Sequence, residues 1–231
     1  MVMALFSLTL PHTPPEEHSG LFLPRILRDT GDLLRNQPLV LFLIVTMLAS
    51  IPTMAYNNVA NLFLNNLHYS HPAALMTLGQ VSDLVVLGLT PWFIKRFSLP
   101  LLFVSGMIAW GARYVLLAAA SIYAITWPAV AAILMNGPCF VFIYVIGVMY
   151  VDRLVSGAHR GAAQGMFALA WAGLGNLAGA LTVGYAQATF LTPESVSPAP
   201  YNWPAFWTVP AIASLAGVLL FTAAFKPPRQ I

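Results

Sequence analysis

The sequence predicts an all-α membrane protein with six transmembrane helices. Of its 231 residues, 59% are hydrophobic and only 7% are charged, whereas about a quarter of the residues in a typical soluble domain are charged. The apolar residues form long runs, and a run of about 20 residues crosses a bilayer as a helix. Because these runs lack the apolar–polar alternation of a membrane β-strand, we expect a helical bundle and not a barrel.

Six apolar runs cover most of the chain, and a short connecting segment separates each run from the next. We expect spans at about 38–66, 72–94, 99–120, 128–151, 162–188 and 203–225. Together they form one predicted unit, residues 38–231, a six-helix bundle with a short C-terminal tail.

Basic residues mark alternate ends of these spans. Apart from Arg113, within span three, every Lys and Arg lies before span one, between spans two and three, between spans four and five, or after span six. Loops rich in Lys and Arg remain in the cytoplasm, so we expect both termini there. The net charge of +3 is therefore interpreted as a topology signal, and we expect no nucleic-acid partner.

Residues 1–37 form the other predicted unit. MVMALFSLTL is apolar but too short to cross a bilayer, and it lacks the basic segment and cleavage site of a signal peptide. PHTPPEEHSG is typical of a linker. LPRILRDTGDLLRNQ mixes Leu and Ile with charges, which predicts an amphipathic helix at the inner membrane surface. We therefore expect the chain to begin with the end of a preceding span and a cytoplasmic linker.

A carboxylate, Asp83, lies near the middle of span two in GQVSDLVVLG. A central Asp costs about 2.5 to 3.5 kcal/mol on insertion scales, so such a residue indicates function. Gln80, three residues earlier, shares its helical face. Together the amide and the acid could hold a polar solute and couple it to proton movement. The alternative is a structural ion pair with Arg113, which lies at a similar depth.

Amide side chains follow a proline in span one. Asn57, Asn61 and Asn65 are four residues apart and form one stripe, which favours either interhelical hydrogen bonding or the wall of a polar cavity. In span four, Asn136 and Phe140 lie on one face around a Gly-Pro pair that can open the helix. An aromatic ring beside an amide suits a flat heterocycle, although the aromatic residues of this span are equally typical of core or lipid-facing positions.

The remaining patterns argue against an enzyme. An intramembrane aspartyl protease needs two acids, but only Asp83 lies well inside a span, and the histidines fall in or near loops. No group of His, Cys and acids has metal-ligand spacing, so we expect neither a metal nor another cofactor. In span five, the GxxxG pattern of Gly175 and Gly179 predicts a close helix contact.

Three segments resemble the bacterial nucleoside:proton symporters of the major facilitator superfamily. They are QVSDLVVLGLTPWFIKRF, VDRLVSGAHRGAAQGMF and the opening LTLPHTPP. The pattern DRxxSxxxRGxAQGxF, Asp152 to Phe167, is the most specific of them. The resemblance implies a fold like the C-terminal half of a twelve-span transporter of the inner membrane, running from the last turns of span six to the end. The N-terminal six-helix half is then absent.

The resemblance also implies a nucleoside substrate, a proton as the coupling ion, and a set of binding residues. The family's nucleoside site corresponds here to Asn57, Gln80, Asp83, Asn136 and Phe140. Asp83 is the implied proton-coupling residue.

Three positions depart from the family pattern. Asn136 stands where the family can have a tyrosine, Met54 where a second polar group is expected, and Val141 where one branch has an acid. The substrate range and the proton coupling therefore both stay open, and another small polar solute is the alternative to a nucleoside. Because solute sites in such folds lie between two halves, the resemblance implies either a separately encoded N-terminal half, a second copy of this chain, or a remnant that does not transport alone.

Overall fold

A computed structural model of the chain describes Phe6 and residues 30–123, 125–192 and 200–224. Six of its helices are long and apolar enough to cross a membrane, which confirms the predicted class, an all-α multi-pass membrane protein. We number the six spans α1, Gln37–Asn66; α2, Pro72–Arg96; α3, Leu99–Tyr123; α4, Thr126–Leu134 with Asn136–Leu154; α5, Gly157–Thr189; and α6, Trp203–Ala224.

The helices agree with the predicted spans to within a few residues, and α4 is interrupted beside the Gly-Pro pair that the sequence marked as able to open it. Its first segment ends at Leu134 and its second begins at Asn136. A π-helical stretch, Val141–Val145, follows within the second segment. The cause of the break is the Gly-Pro pair in the sequence, because a proline cannot donate the hydrogen bond that would continue the helix.

The first turn of α1 is capped and tied to the end of α4. The Asn36 side-chain oxygen accepts a hydrogen bond from the Leu39 amide at 3.3 Å, which satisfies one of the free N–H groups of the helix start. The Asn36 side-chain nitrogen donates to the Leu154 carbonyl at 3.1 Å. We call this end of the bundle the basic end, because Arg96 and Arg153 also lie in the last turns of their helices there.

An aromatic cluster around Phe42 of α1 forms the core at the basic end. The Phe42 ring centroid lies 4.8 Å from those of both Phe103 of α3 and Tyr150 of α4. Phe167 of α5 and Phe221 of α6 complete the cluster at 6.1 and 6.3 Å. Five helices thus share this core. In contrast, α2 buries only Gly79 and Thr90, so it lies at the edge of the bundle.

The predicted glycine contact in α5 is confirmed, and α1 is its partner. A Cβ at Gly179 would lie 2.8 Å from the Met54 Cγ and 2.9 Å from the Ser50 carbonyl oxygen. The Ser50 hydroxyl donates to the Trp171 carbonyl at 3.1 Å, and that carbonyl belongs to a second π-helical stretch, Leu169–Gly175. Small residues therefore bring α1 and α5 together, and Ser50 satisfies a backbone group of the irregular turn.

Most of the predicted N-terminal unit, including the linker and the start of the amphipathic helix, lies outside the described residues. Of that helix, residues 30–33 are helical. Leu33 is buried and Leu34 is exposed. The predicted basic C-terminal tail also lies outside the described residues.

Candidate functional site

The Ser82 side chain of α2 forms hydrogen bonds with the backbone at the break in α4. Because Pro138 has no N–H, the Leu134 carbonyl four residues earlier lacks its helical donor. The Ser82 hydroxyl donates to that carbonyl at 2.5 Å and accepts a hydrogen bond from the Gly137 amide at 3.2 Å. Ser82 therefore satisfies two backbone groups at the break and sets the register of α2 against α4.

Glycines allow the two helices to approach at this point. A Cβ at Gly79 of α2 would lie 3.2 Å from the Asn136 Cβ. A Cβ at Gly137 of α4 would clash with the Ser82 carbonyl oxygen and lie 2.6 Å from a Val86 methyl carbon. A side chain at either position would force the helices apart, so the close contact depends on glycine.

This register places Asp83 opposite Asn136. The Asn136 side-chain nitrogen donates to the two carboxylate oxygens of Asp83 at 2.8 and 2.9 Å. Both residues are half-buried, so the pair remains partly open on one side. The sequence predicted both residues for the site, and the structure adds that they bind each other.

Asn136 also contacts Arg113 of α3. The guanidinium donates to the Asn136 side-chain oxygen at 2.9 Å. The described side chains of Asp83 and Arg113 form no direct ion pair, because the Asn136 amide lies between them. The ion pair considered from the sequence is thus replaced by a chain of three residues.

Phe140 lies one turn beyond Asn136 on α4 and is 38% exposed. Its ring stacks on Tyr144, with centroids 5.5 Å apart and planes 15° apart. Tyr144 in turn contacts the rings of Phe167 and Trp171 on α5, each at 5.9 Å. One aromatic ring is therefore open beside the polar pair, and buried or half-buried rings support it from behind. Phe142 of the same span is a buried core aromatic.

Two other predicted site residues do not join this network. The side chains of Asn57 on α1 and Gln80 on α2 are exposed, and neither makes a side-chain hydrogen bond to the described residues of the network. Gln80 lies one helical turn before Asp83, as its spacing predicts.

The amide stripe of α1 is exposed along its length. The Asn65 side chain donates to the Asn61 side-chain oxygen at 2.8 Å. The Asn61 nitrogen lies 3.8 Å from the Met76 sulfur of α2, a weak contact. Amides on a membrane helix rarely face lipid, so this face of the bundle adjoins water or another polar surface.

At the basic end, the motif between Asp152 and Phe167 connects α4 to α5. The Gln164 side chain donates to the Val148 carbonyl at 2.9 Å and to the Asp152 carboxylate at 2.8 Å. This part of the motif therefore joins α5 to the end of α4. Within the described ranges, no three His, Cys, Asp or Glu side chains converge on a metal site.

Comparison with known proteins places the chain in a family. A model of the family described as Nucleoside H+ symporter matches residues 1–230. The chain belongs to the nucleoside H+ symporter family. Among curated members, the Escherichia coli (strain K12) protein YegT is 28% identical over 229 residues, which cover 97% of this chain and 54% of YegT.

Nucleoside permease NupG of the same strain is 25% identical over 242 residues, covering 97% of this chain and 56% of NupG. The chain thus spans about half the length of the curated relatives it matches. A crystal structure of a mutant of the nucleoside transporter NupG superposes with a TM-score of 0.79 at 24% identity, over 97% of this chain and 58% of that chain. This likeness shows that the chain has the fold of part of that transporter and confirms the predicted all-α membrane fold.

Ser82 and Trp171 were not among the predicted site residues, and Tyr144 is one of the span-four aromatics that the sequence left open between a site, the core and the lipid face. A signal for Ser82 was present, because Pro138 leaves a carbonyl without a donor and a neighbouring helix must supply one. The position of Tyr144 four residues after Phe140 likewise predicts that the two share a face. No sequence signal pairs Tyr144 with Trp171, since that contact depends on how α4 and α5 pack.

Proposed function

We propose that this chain is one half of a proton-coupled nucleoside transporter of the inner membrane, with both termini in the cytoplasm. The observation that carries the proposal is the partly open Asp83–Asn136 pair beside the exposed ring of Phe140. A hydrogen-bonding carboxylate and an adjacent aromatic face match the two parts of a nucleoside, its ribose and its base. Membership of the nucleoside H+ symporter family supports this substrate class.

In this proposal Asp83 accepts hydrogen bonds from the ribose hydroxyls. A carboxylate offers about four acceptor positions, and the Asn136 amide occupies two of them. The remaining positions suit two neighbouring hydroxyl groups. Because the same group can take up and release a proton, Asp83 also serves as the proton-coupling residue.

The base stacks on Phe140 in the same proposal. One face of that ring is covered by Tyr144, which leaves the other for the ligand. Gln80, one turn from Asp83, and Asn57 on α1 supply amides that can donate to or accept from the edge of a base. Both side chains are exposed on this half of the site and are free to reorient around different bases.

The opposite wall of the site comes from a second half. Solute sites in transporters built from repeats lie near the midplane, between the units that move. The exposed amide stripe of α1 marks the face that such a half covers, whereas the apolar faces of the bundle contact lipid. We propose that the partner is a separately encoded N-terminal six-helix half or a second copy of this chain.

Uptake of labelled uridine tests this function. Cells that lack their own nucleoside uptake would express the chain alone and together with the N-terminal half of NupG. We expect uptake with both halves present and its loss when a protonophore removes the proton gradient. The Asp83→Asn variant should lower uptake, whereas Asp152→Asn, which keeps an acceptor for Gln164, should not. Uridine binding without uptake under all of these conditions would instead indicate a solute-binding half that does not transport.

A further inference from the structure

Arg113 is a buried charge in the middle of a membrane span. Its side chain is 0% exposed, and it lies well inside α3, Leu99–Tyr123. An arginine keeps its positive charge in proteins, and a charge within the bilayer is costly unless other groups compensate it. Something in its surroundings must therefore stabilise this guanidinium.

Two aromatic rings provide part of that stabilisation. The guanidinium carbon lies 3.2 Å from the centroid of the Tyr56 ring of α1 and 5.0 Å from that of the Trp110 ring. The Trp110 indole donates to the Cys139 carbonyl at 3.1 Å, which fixes its ring on the side of α4. The two rings hold Arg113 in place through cation–π contacts but do not neutralise its charge.

Among the described residues, the hydrogen bonds that link Arg113 to the opposite charge of Asp83 pass through Asn136. A guanidinium has hydrogen-bond donors and no acceptor, and an ionised carboxylate has acceptors and no donor. The amide between them must therefore turn its oxygen to Arg113 and its nitrogen to Asp83, which is the orientation in the structure. A reversed amide would oppose donor to donor and acceptor to acceptor.

We propose that Arg113 is a positioning residue of the site: it fixes the Asn136 amide, which then holds the Asp83 carboxylate in place from the side away from the ligand. Arg113 does not itself reach the open face. Asn136 accordingly supports Asp83 and does not offer its carbonyl to a solute. The assignment of a nucleoside as the ligand rests on the proposed function, whereas the arrangement of the three side chains does not.

A purely packing role for Arg113 makes a different prediction. If Arg113 only filled space between Tyr56 and Trp110, its replacement by methionine, which has a similar unbranched stem, would leave the Asn136 amide where it is. If Arg113 orients the amide, the same replacement frees the oxygen of Asn136 and changes the environment of its nitrogen.

The side-chain amide signal of Asn136 distinguishes these roles without any ligand. The full chain would be labelled with ¹⁵N-asparagine in lipid nanodiscs, and loss of one NH₂ signal in Asn136→Ala would assign it. We expect this signal to move in Asp83→Asn and also in Arg113→Met. The matched control is Arg96→Met, since Arg96 also lies over a tryptophan, 5.1 Å from the Trp92 centroid, but at the basic end. An unmoved signal in Arg113→Met would overturn the proposal.

If Arg113→Met does not fold because Asp83 is left uncompensated, the doubly neutral variant replaces it. The Asn136 signal of Asp83→Asn with Arg113→Met is then compared with that of Asp83→Asn alone. Different positions support the role of Arg113, and identical positions overturn it.

Uridine binding to the chain together with the N-terminal half of NupG supplies the functional readout. Loss of a charged hydrogen bond behind the site should weaken binding about tenfold or more in Arg113→Met, while Arg96→Met should change it by about twofold at most. If the wild type binds no uridine, the proposed function fails, but the amide signal still decides the role of Arg113. Unchanged uridine affinity in Arg113→Met would contradict the positioning role.

Discussion

The Asn136 side-chain nitrogen donates to both carboxylate oxygens of Asp83, at 2.8 and 2.9 Å. This pair joins α4 to α2 inside the membrane region. The pair forms because Ser82, the residue before Asp83, hydrogen-bonds to the helix break that Pro138 creates. The break in α4 thus fixes the position of Asp83 on α2.

Asn136→Ala should destabilise the bundle and weaken solute binding. The variant leaves a half-buried carboxylate and a buried guanidinium without their shared partner, which costs about 1–3 kcal/mol. The midpoint of thermal unfolding in detergent measures this change. Asn61→Ala is the control, since Asn61 is an exposed amide on α1. Equal midpoints for the two variants would show that the Asn136 bridge contributes nothing to stability.

Gly137→Ala should separate α2 from α4. The new methyl group would clash with the Ser82 carbonyl oxygen, and overpacking of this kind costs about 1–3 kcal/mol. Gly165→Ala on α5 is the matched control, because no heavy atom lies within 4 Å of a Cβ there, and alanine favours a helix by up to about 1 kcal/mol. A Gly137→Ala protein as stable as Gly165→Ala would contradict the close contact.

The sequence predicted the fold well because each membrane helix has a long apolar signal. The hydrogen-bond partner of Asp83 was harder to predict. Helical spacing relates Gln80 to Asp83 within one helix, but the contact between Asp83 and Asn136 depends on the register of α2 against α4. That register is set by Ser82, Gly79 and Gly137. The sequence signals that a donor is needed at the break, but only the packed helices show that Ser82 supplies it.

The exposed residues Asn57 and Gln80 show a second difference between the predicted site and the structure. Asn57 and Gln80 are amides like Asn136, and the family resemblance implies one site for all three. In the described structure only Asn136 is held by hydrogen bonds, because it alone lies between charged groups on neighbouring helices. In the proposed function, Asn57 and Gln80 face a second half, and the sequence of this chain does not encode the contacts with that half.

Ser82→Ala should weaken the contact between α2 and α4 by a change on α2. It removes the donor to the Leu134 carbonyl and the acceptor for the Gly137 amide, and an unpaired polar group away from water costs about 1–3 kcal/mol. Ser214→Ala is the control, since the Ser214 hydroxyl bonds only within α6, to the Pro210 carbonyl. The midpoint of thermal unfolding compares the two variants. A smaller fall of the midpoint in Ser82→Ala than in Ser214→Ala would refute the role of Ser82.

Phe140→Leu should lower uridine affinity while leaving the fold intact. Stacking of a base on an aromatic ring contributes about 1–3 kcal/mol, which leucine cannot replace. Phe140→Tyr should retain most of the affinity, because it keeps the ring. Phe97→Leu is the control, because Phe97 is 41% exposed but lies just beyond α2 at the basic end. Equilibrium binding of labelled uridine would rule out stacking on Phe140 if Phe140→Leu bound as tightly as the Phe97→Leu control.

Asp83→Asn should separate nucleoside binding from proton movement. Asparagine keeps the size of the side chain and an acceptor oxygen but cannot exchange a proton. We therefore expect residual uridine binding and no proton-driven accumulation.

The most direct test is the pH change of a weakly buffered medium when uridine is added to vesicles that carry this chain and the N-terminal half of NupG. We expect uridine to drive protons into the vesicles, making the medium more alkaline, and we expect Asp83→Asn to abolish this response while the Asp152→Asn control keeps it. Uridine uptake with no proton movement in the wild type, or an undiminished proton signal in Asp83→Asn, would contradict proton coupling through Asp83.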